Sequence, residues 1–166
     1  MANALDKLDM MGVNMHTARV LTNSLWPQYK ALETTVTFAG GTTNAIGDFN
    51  GSGNPVTMFT VTGTVEMSII ALCETTLTGG SATIEVGTAL STAGLIAQTT
   101  GTDIDINEIW AAAAPASSVE LTSVTGRYIV NQDVKLTVGT ADATAGVIRF
   151  IVKWAPISAD GKVEVT

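Results

Sequence analysis

A chain of 166 residues is long enough for one domain with a real core, plus an appended arm. Hydrophobic residues make up 46% and charged residues only 14%, well under the usual quarter, with a net charge of −7. Residues 31–126 contain nine acids and neither lysine nor arginine, which argues against a nucleic-acid backbone or an anionic membrane as direct partner. A weakly charged surface rich in Thr and Gly suits a protein that covers itself with protein neighbours. The single cysteine, Cys73, excludes an internal disulfide and reads as a small buried hydrophobe. Residues 1–15 carry Asp6 and Asp9 and no continuous apolar run, so the chain is expected to be made in a host cytoplasm without a recognisable export signal.

Residues 1–33 differ from the rest: they hold four of the six methionines and the sole histidine, His16. They are expected to form an N-terminal arm, with residues 34–166 as the domain. Thr17 to Leu25 could make a short helix capped by Asn14 or Thr17 and ended by Pro27; the alternative is an extended arm. Met10, Met11, Val13, Met15, Val20, Leu21, Leu25, Trp26 and Tyr29 are too many apolar groups for a segment without its own core. They are expected to be interface residues, packing on the domain or on another subunit.

From Thr34 onward the apolar period becomes two. Residues 34–38, 56–62 and 64–76 read as strands, with Gly63 as a bulge or bend and residues 39–55 as a Gly/Asn loop. In the long strand Val65, Met67, Ile69, Ala71 and Cys73 share one face, yet Ile70 and Leu72 sit among the polar residues of the other, so both faces are expected to be partly covered. Residues 82–87 alternate cleanly, with Ala82, Ile84 and Val86 inward, while 89–97 could be helix or loop. Strands are expected at 104–110, 119–124, 127–130 and 134–139, with a small-residue linker at 111–118. Residues 146–154 form the strongest strand pattern, with Ile148, Phe150, Val152 and Trp154 inward; Pro156 stops it, and the tail 158–166 looks exposed. Many short strands with Gly-rich turns indicate an all-β, two-sheet β-sandwich or jelly roll, in which the loops 39–55 and 87–103 would be the long crossovers.

Catalytic chemistry finds little support. A Cys–His or Ser–His–Asp site would need the arm to carry His16 across the domain. One His and one Cys do not make a zinc site. Asp48-Phe49-Asn50-Gly51-Ser52 resembles the front of a calcium loop, but the closing Glu is missing and Phe59 stands there, so a tight loop is the better reading. Asp103 and Asp105 would share one face of a strand and could bind a hard cation or act as a paired acid; the plainer reading is a solvated edge with Ile104 and Ile106 inward. No cofactor, no metal and no enzyme activity are expected.

The run VTGTVEMSIIALCETTLTGGSATIEVGTALSTAGLIAQTTGTDIDINEIW (residues 61–110) and the later IRFIVKWAPISADGKV (148–163) resemble a family of small virion structural proteins of tailed bacteriophages. The resemblance covers residues 55–163, about two thirds of the chain, and lies in the hydrophobic pattern rather than in any catalytic motif. It implies a capsid decoration, or cement, protein on the capsid exterior of the virion, binding the major capsid protein between subunits as a dimer or trimer. It transfers no site residue, and the arm lies outside it. Two other roles remain open: a low-copy tail, neck or fibre-attachment protein, and a carbohydrate-binding β-sandwich module, which the aromatic content of 5% disfavours.

Overall fold

Alternation of β-branched and aromatic residues with Thr, Ser and charge builds strands throughout the body. In the computed structural model, which describes residues 29–117, 119–120 and 123–166, these are β1 (Lys30–Phe38), β2 (Val56–Thr62), β3 (Val65–Thr78), β4 (Thr83–Gly87), β5 (Ile96–Thr100), β6 (Glu108–Trp110), β7 (Ala116–Ser117), β8 (Tyr128–Val130), β9 (Val134–Gly139), β10 (Ala145–Pro156) and β11 (Lys162–Val165). They form two antiparallel sheets. Sheet A runs β1-β10-β3-β6-β7 with β8 also paired to β3, and sheet B runs β11-β2-β9-β4-β5. The two pack face to face as a β-sandwich, as the sequence pattern implied.

The register explains the core. Within sheet A, Met67, Ile69, Ala71 and Cys73 of β3 stand opposite Trp154, Val152, Phe150 and Ile148 of β10, and all eight are buried. Sheet B answers with Phe59, Ile84, Val86, Val134, Leu136 and Val138. Trp110 closes the core, its ring edge-on to Phe150 at 6.2 Å between centroids. Its buried indole N–H donates to the Thr99 hydroxyl across the sandwich at 2.8 Å. That hydroxyl lies 3.1 Å from both the Ala97 and Ala113 carbonyl oxygens and gives its one proton to either. Thr99 is the polar residue the core retains, and this is its reason.

The chain crosses from sheet A to sheet B through residues 39–55. Asn54 fastens this loop to β9: its amide nitrogen donates to the Phe49 and Val138 carbonyls at 2.8 and 2.7 Å, and its oxygen accepts from the Val138 N–H at 3.0 Å. Gly63 makes the turn between β2 and β3 at φ +63°, where a Cβ would collide with Ser158 and Asp160. Strands form as expected at 56–62, 82–87, 134–139 and 146–154, with the expected inward faces in 82–87 and 146–154, whereas β2 buries the adjacent Met58 and Phe59 at a register shift between Thr57 and Phe59.

Several expectations are corrected. β1 begins at Lys30 rather than Thr34, because Lys30 to Glu33 continue the ladder against Trp154 to Ile151. The loop 87–103 is not a crossover: β4 folds back onto β5 within sheet B, closed by the Leu95 N–H on the Val86 carbonyl at 2.9 Å, and the chain passes to sheet A only at the 3-10 turn Gly101–Asp103. The strand expected at 104–110 shrinks to Glu108–Trp110, since Asn107 takes φ +68° and breaks the alternation; Ile104 is buried but Ile106 is 53% exposed. Residues 119–120 and 123–127 lie outside any strand. The tail is not free: β11 pairs with β2, and Val163 enters the core opposite Val61. The helix considered at 17–25 falls outside the described residues.

Thr99→Val keeps the side-chain shape and removes the acceptor of the Trp110 N–H. Its unfolding free energy is expected to fall by about 1–3 kcal/mol, read as a lower urea midpoint at constant slope. An unchanged midpoint would show that the bond contributes nothing.

Candidate protein-docking surface

The outward faces of the two sheets differ in chemistry. Sheet B presents Thr57, Thr83, Glu85, Lys135 and Thr137, with Gln98 donating to Glu85 at 3.2 Å and Lys162 paired to Glu164 at 2.6 Å. Sheet A presents an apolar strip. Ile70 stands opposite Ile151 and Leu72 opposite Ile109, and these four are half-buried with no layer of secondary structure over them among the described residues. Ile70, Ile109 and Ile151, with Ala31 and Tyr29, border a groove of about 430 Å³ whose wall also carries Glu120 and Thr125. Ile129, 66% exposed on β8, extends the apolar surface beside Glu66.

Charged clusters frame the strip at both ends. At one, Arg149 reaches Glu74 at 2.9 Å and Glu33 at 3.5 Å, joining β10 to both its neighbours. At the other, Glu66 accepts the Tyr29 hydroxyl at 2.6 Å and the Arg127 Nε at 2.5 Å, while the Arg127 Nη2 donates to the Tyr29 oxygen at 2.5 Å. The Lys153 ammonium sits 4.8 Å over the Tyr29 ring. The Tyr29 hydrogen bond, followed by that from Arg127, holds the Glu66 carboxyl below its ordinary value. The same bond to Glu66 raises the Tyr29 hydroxyl above its own.

Of the expected interface residues, Tyr29 lies in this frame, on the body rather than beyond it. Met10, Met11, Val13, Met15, Val20, Leu21, Leu25 and Trp26 lie outside the described residues. Sequence reasoning did not single out Ile109, Ile151, Arg127 or Lys153. The available signal was the apolar residue at an outward strand position, already visible in Ile70 and Leu72 and repeated by Ile151.

The candidate chemical groups have structural employment. Cys73 donates from its buried thiol to the Thr75 carbonyl at 3.2 Å, and burial raises the thiol above its ordinary value, so it stays protonated and weakly nucleophilic. Asp48 accepts the Asn44 and Asn50 N–H groups on its two carboxylate oxygens at 2.8 and 3.1 Å, which closes the tight loop. Asp103 ends a 3-10 turn, and Asp105 offers its N–H to Glu108 at 2.8 Å, so the shared strand face expected for the two aspartates is not formed. Among the described residues no grouping of three or more His, Cys, Asp or Glu could hold a metal ion, and no helix is long and apolar enough to cross a membrane.

No protein-family model and no curated protein sequence match the chain. Among solved structures it is similar to a chain of the cyanophage Pam1 capsid asymmetric unit, at TM-score 0.38 and 19% identity, over 78% of this chain and 85% of that one. A likeness at that score carries no argument about function.

The charged frame makes a pH window. The Glu66 contribution is present above its unfolded value near 4.5 and is lost as pH falls through its lower folded value. The Tyr29 contribution is present below 10.0 and is lost as pH rises through its higher folded value. In a Tyr128→Phe background, phenolate absorbance of Tyr29 is expected to rise with a midpoint above 10.0, and Glu66→Gln is expected to lower that midpoint. Equal midpoints in the two proteins would remove the Glu66 bond as the cause.

Proposed function

We propose that this chain is a non-enzymatic structural protein of a tailed-phage virion, which decorates the capsid exterior by binding between major capsid protein subunits as a dimer or trimer. The observation that carries this reading is the apolar strip on sheet A that no described element covers, framed by charge and beginning beside Tyr29, the first described residue. A strip of this kind, with an apolar centre and a polar rim, has the anatomy of a protein interface. Methionines suit an arm that must fit capsid sites differing slightly in shape. The family resemblance of residues 55–163 supports the same reading. So does strand order: β1-β10-β3-β6 against β2-β9-β4-β5 fits a jelly-roll reading of the sandwich, an architecture that recurs in viral capsid domains. That last support is an analogy of fold.

Decoration would stabilise a shell by mass action, since a protein that binds only the assembled form shifts the equilibrium toward it. Many copies, each touching several subunits, would compound the effect. The polar face of sheet B is the side suited to solvent, and net negative charge favours solubility.

Removing residues 1–15 leaves β1 whole, whereas a cut at residue 33 would remove Glu33 and its ion pair with Arg149. The shorter truncation is expected to keep the parent unfolding midpoint and to lose binding to expanded capsid shells in co-sedimentation. Undiminished binding would rule out the arm as the clasp. Quantitative mass spectrometry of the particle is expected to give roughly one copy per capsid subunit. A count of about a dozen would move the protein to a neck or tail ring.

A further inference from the structure

β1 is an edge strand. It pairs with β10 on one side, and among the described residues no strand lies on the other. Sheet edges are normally kept short, bent or charged, because their unpaired N–H and C=O groups invite another strand. The other edges of this sandwich conform: β7, β11 and β5 have two, four and five residues, and β5 slips register against β4. β1 does not. It runs nine residues in unbroken register, without Gly or Pro, and carries no charge after Glu33. β11, the matching edge of sheet B, lies against β1 and leaves Val165 45% exposed. Residues 34–38 are therefore an open, straight and uncharged edge with apolar surface beside it.

The sequence of β1 complements itself. Antiparallel pairing of two copies about Thr34, the midpoint of the strand, uses all nine residues. Opposed residues then share parity, so side chains of like face meet. On the inner side Leu32 meets Val36 of the second copy, and Thr34 meets its own counterpart. On the outer side Glu33 meets Thr35, and Ala31 meets Thr37. No like charges stand opposed, whereas an axis at Glu33 would set that carboxylate against itself. The two-fold axis through Thr34 is perpendicular to the sheet, so outer face joins outer face.

We propose that β1 pairs antiparallel with β1 of a second copy about Thr34, joining the two A sheets into one. Both apolar strips then open on the same face, with the two β10 strands about 14–15 Å apart. Pairing of this kind closes at two copies, which selects the dimer over the trimer. The use of both strips on one capsid surface rests on the decoration reading; the pairing itself does not.

Sedimentation equilibrium of the full-length chain is expected to show a monomer–dimer equilibrium. Thr35 is exposed, so charge at that position leaves the fold in place. Thr35→Glu sets a carboxylate against Glu33 of the second copy, twice over by symmetry, and is expected to weaken the dimer several-fold. Thr35→Lys sets an ammonium against the same carboxylates and is expected to tighten it, with both effects fading in high salt. Hydrogen exchange gives an independent reading in the parent. Alternate β1 amides point away from β10, and these are expected to exchange fast in the monomer and slowly in the dimer. A chain that stays monomeric at millimolar concentration, or that forms a trimer, overturns the proposal. Equal responses to the two substitutions overturn it as well, by removing Glu33 from the interface. Outward amides already slow in the monomer overturn it in favour of an edge covered by the chain's own residues. A monomer that still binds expanded capsid shells would overturn the pairing alone, and a dimer that binds no shell would overturn the decoration reading alone.

Discussion

The pairing of β3 with β10 organises both faces of sheet A at once. The register that sets Phe150 opposite Ala71 and Val152 opposite Ile69 in the core also sets Ile151 opposite Ile70 on the outside. Side chains alternate with period two, so a slip of one residue would exchange the two rows and bury Arg149 and Lys153. The core thus fixes the docking surface: the groove floor cannot move without unpacking Trp154, Phe150 and Ile148. Pairing partners some eighty residues apart, β3 and β10 come together only once the intervening strands can be accommodated, a topology rich in non-local contacts.

Charge segregation along the sequence dissolves in this arrangement. The stretch without Lys or Arg carries Glu33, Glu66 and Glu74, and the fold answers each from beyond it: Arg127 meets Glu66, and Arg149 meets Glu33 and Glu74. Four of the basic residues, Lys30, Arg127, Arg149 and Lys153, lie beside the apolar strip, together with the acids Glu66, Glu74 and Glu120. Exposed pairs of this kind contribute little stability. Their effect is on specificity, because a partner that covers the strip must satisfy or displace them.

Long central strands were legible because inward Ile, Val, Phe and Trp alternate with polar residues over many positions, as in 65–76 and 146–154. Gly63 and Pro156 marked their ends through backbone geometry alone. The short edge strands were not legible. β11 contributes only Val163 to the core and otherwise reads as a polar tail, while β5 is mostly Ala, Gln and Thr. Residues 104–110 misled for the opposite reason: Ile104 and Ile106 alternate as a strand would, but the positive φ at Asn107 turns the chain and leaves Ile106 in solvent. Of the candidate site, Ile70 and Leu72 were visible as apolar residues on the wrong face. Their neighbours Ile109 and Ile151 belong to strands distant in sequence, and only pairing brings them together.

A sandwich commits its inner faces to one another, so its capacity for partners resides in its outer faces, its edges and whatever its termini add. Here the outer faces are unequal. Sheet B meets water with Thr, Glu, Gln and Lys, and sheet A retains aliphatic surface beside the first residue of β1. An apolar strip exposed on a weakly charged body invites indiscriminate association. Chemistry-bearing residues such as Cys73, Asp48 and Asp105 are occupied in holding the fold together, so the unequal outer faces are what distinguish one side of the body from the other.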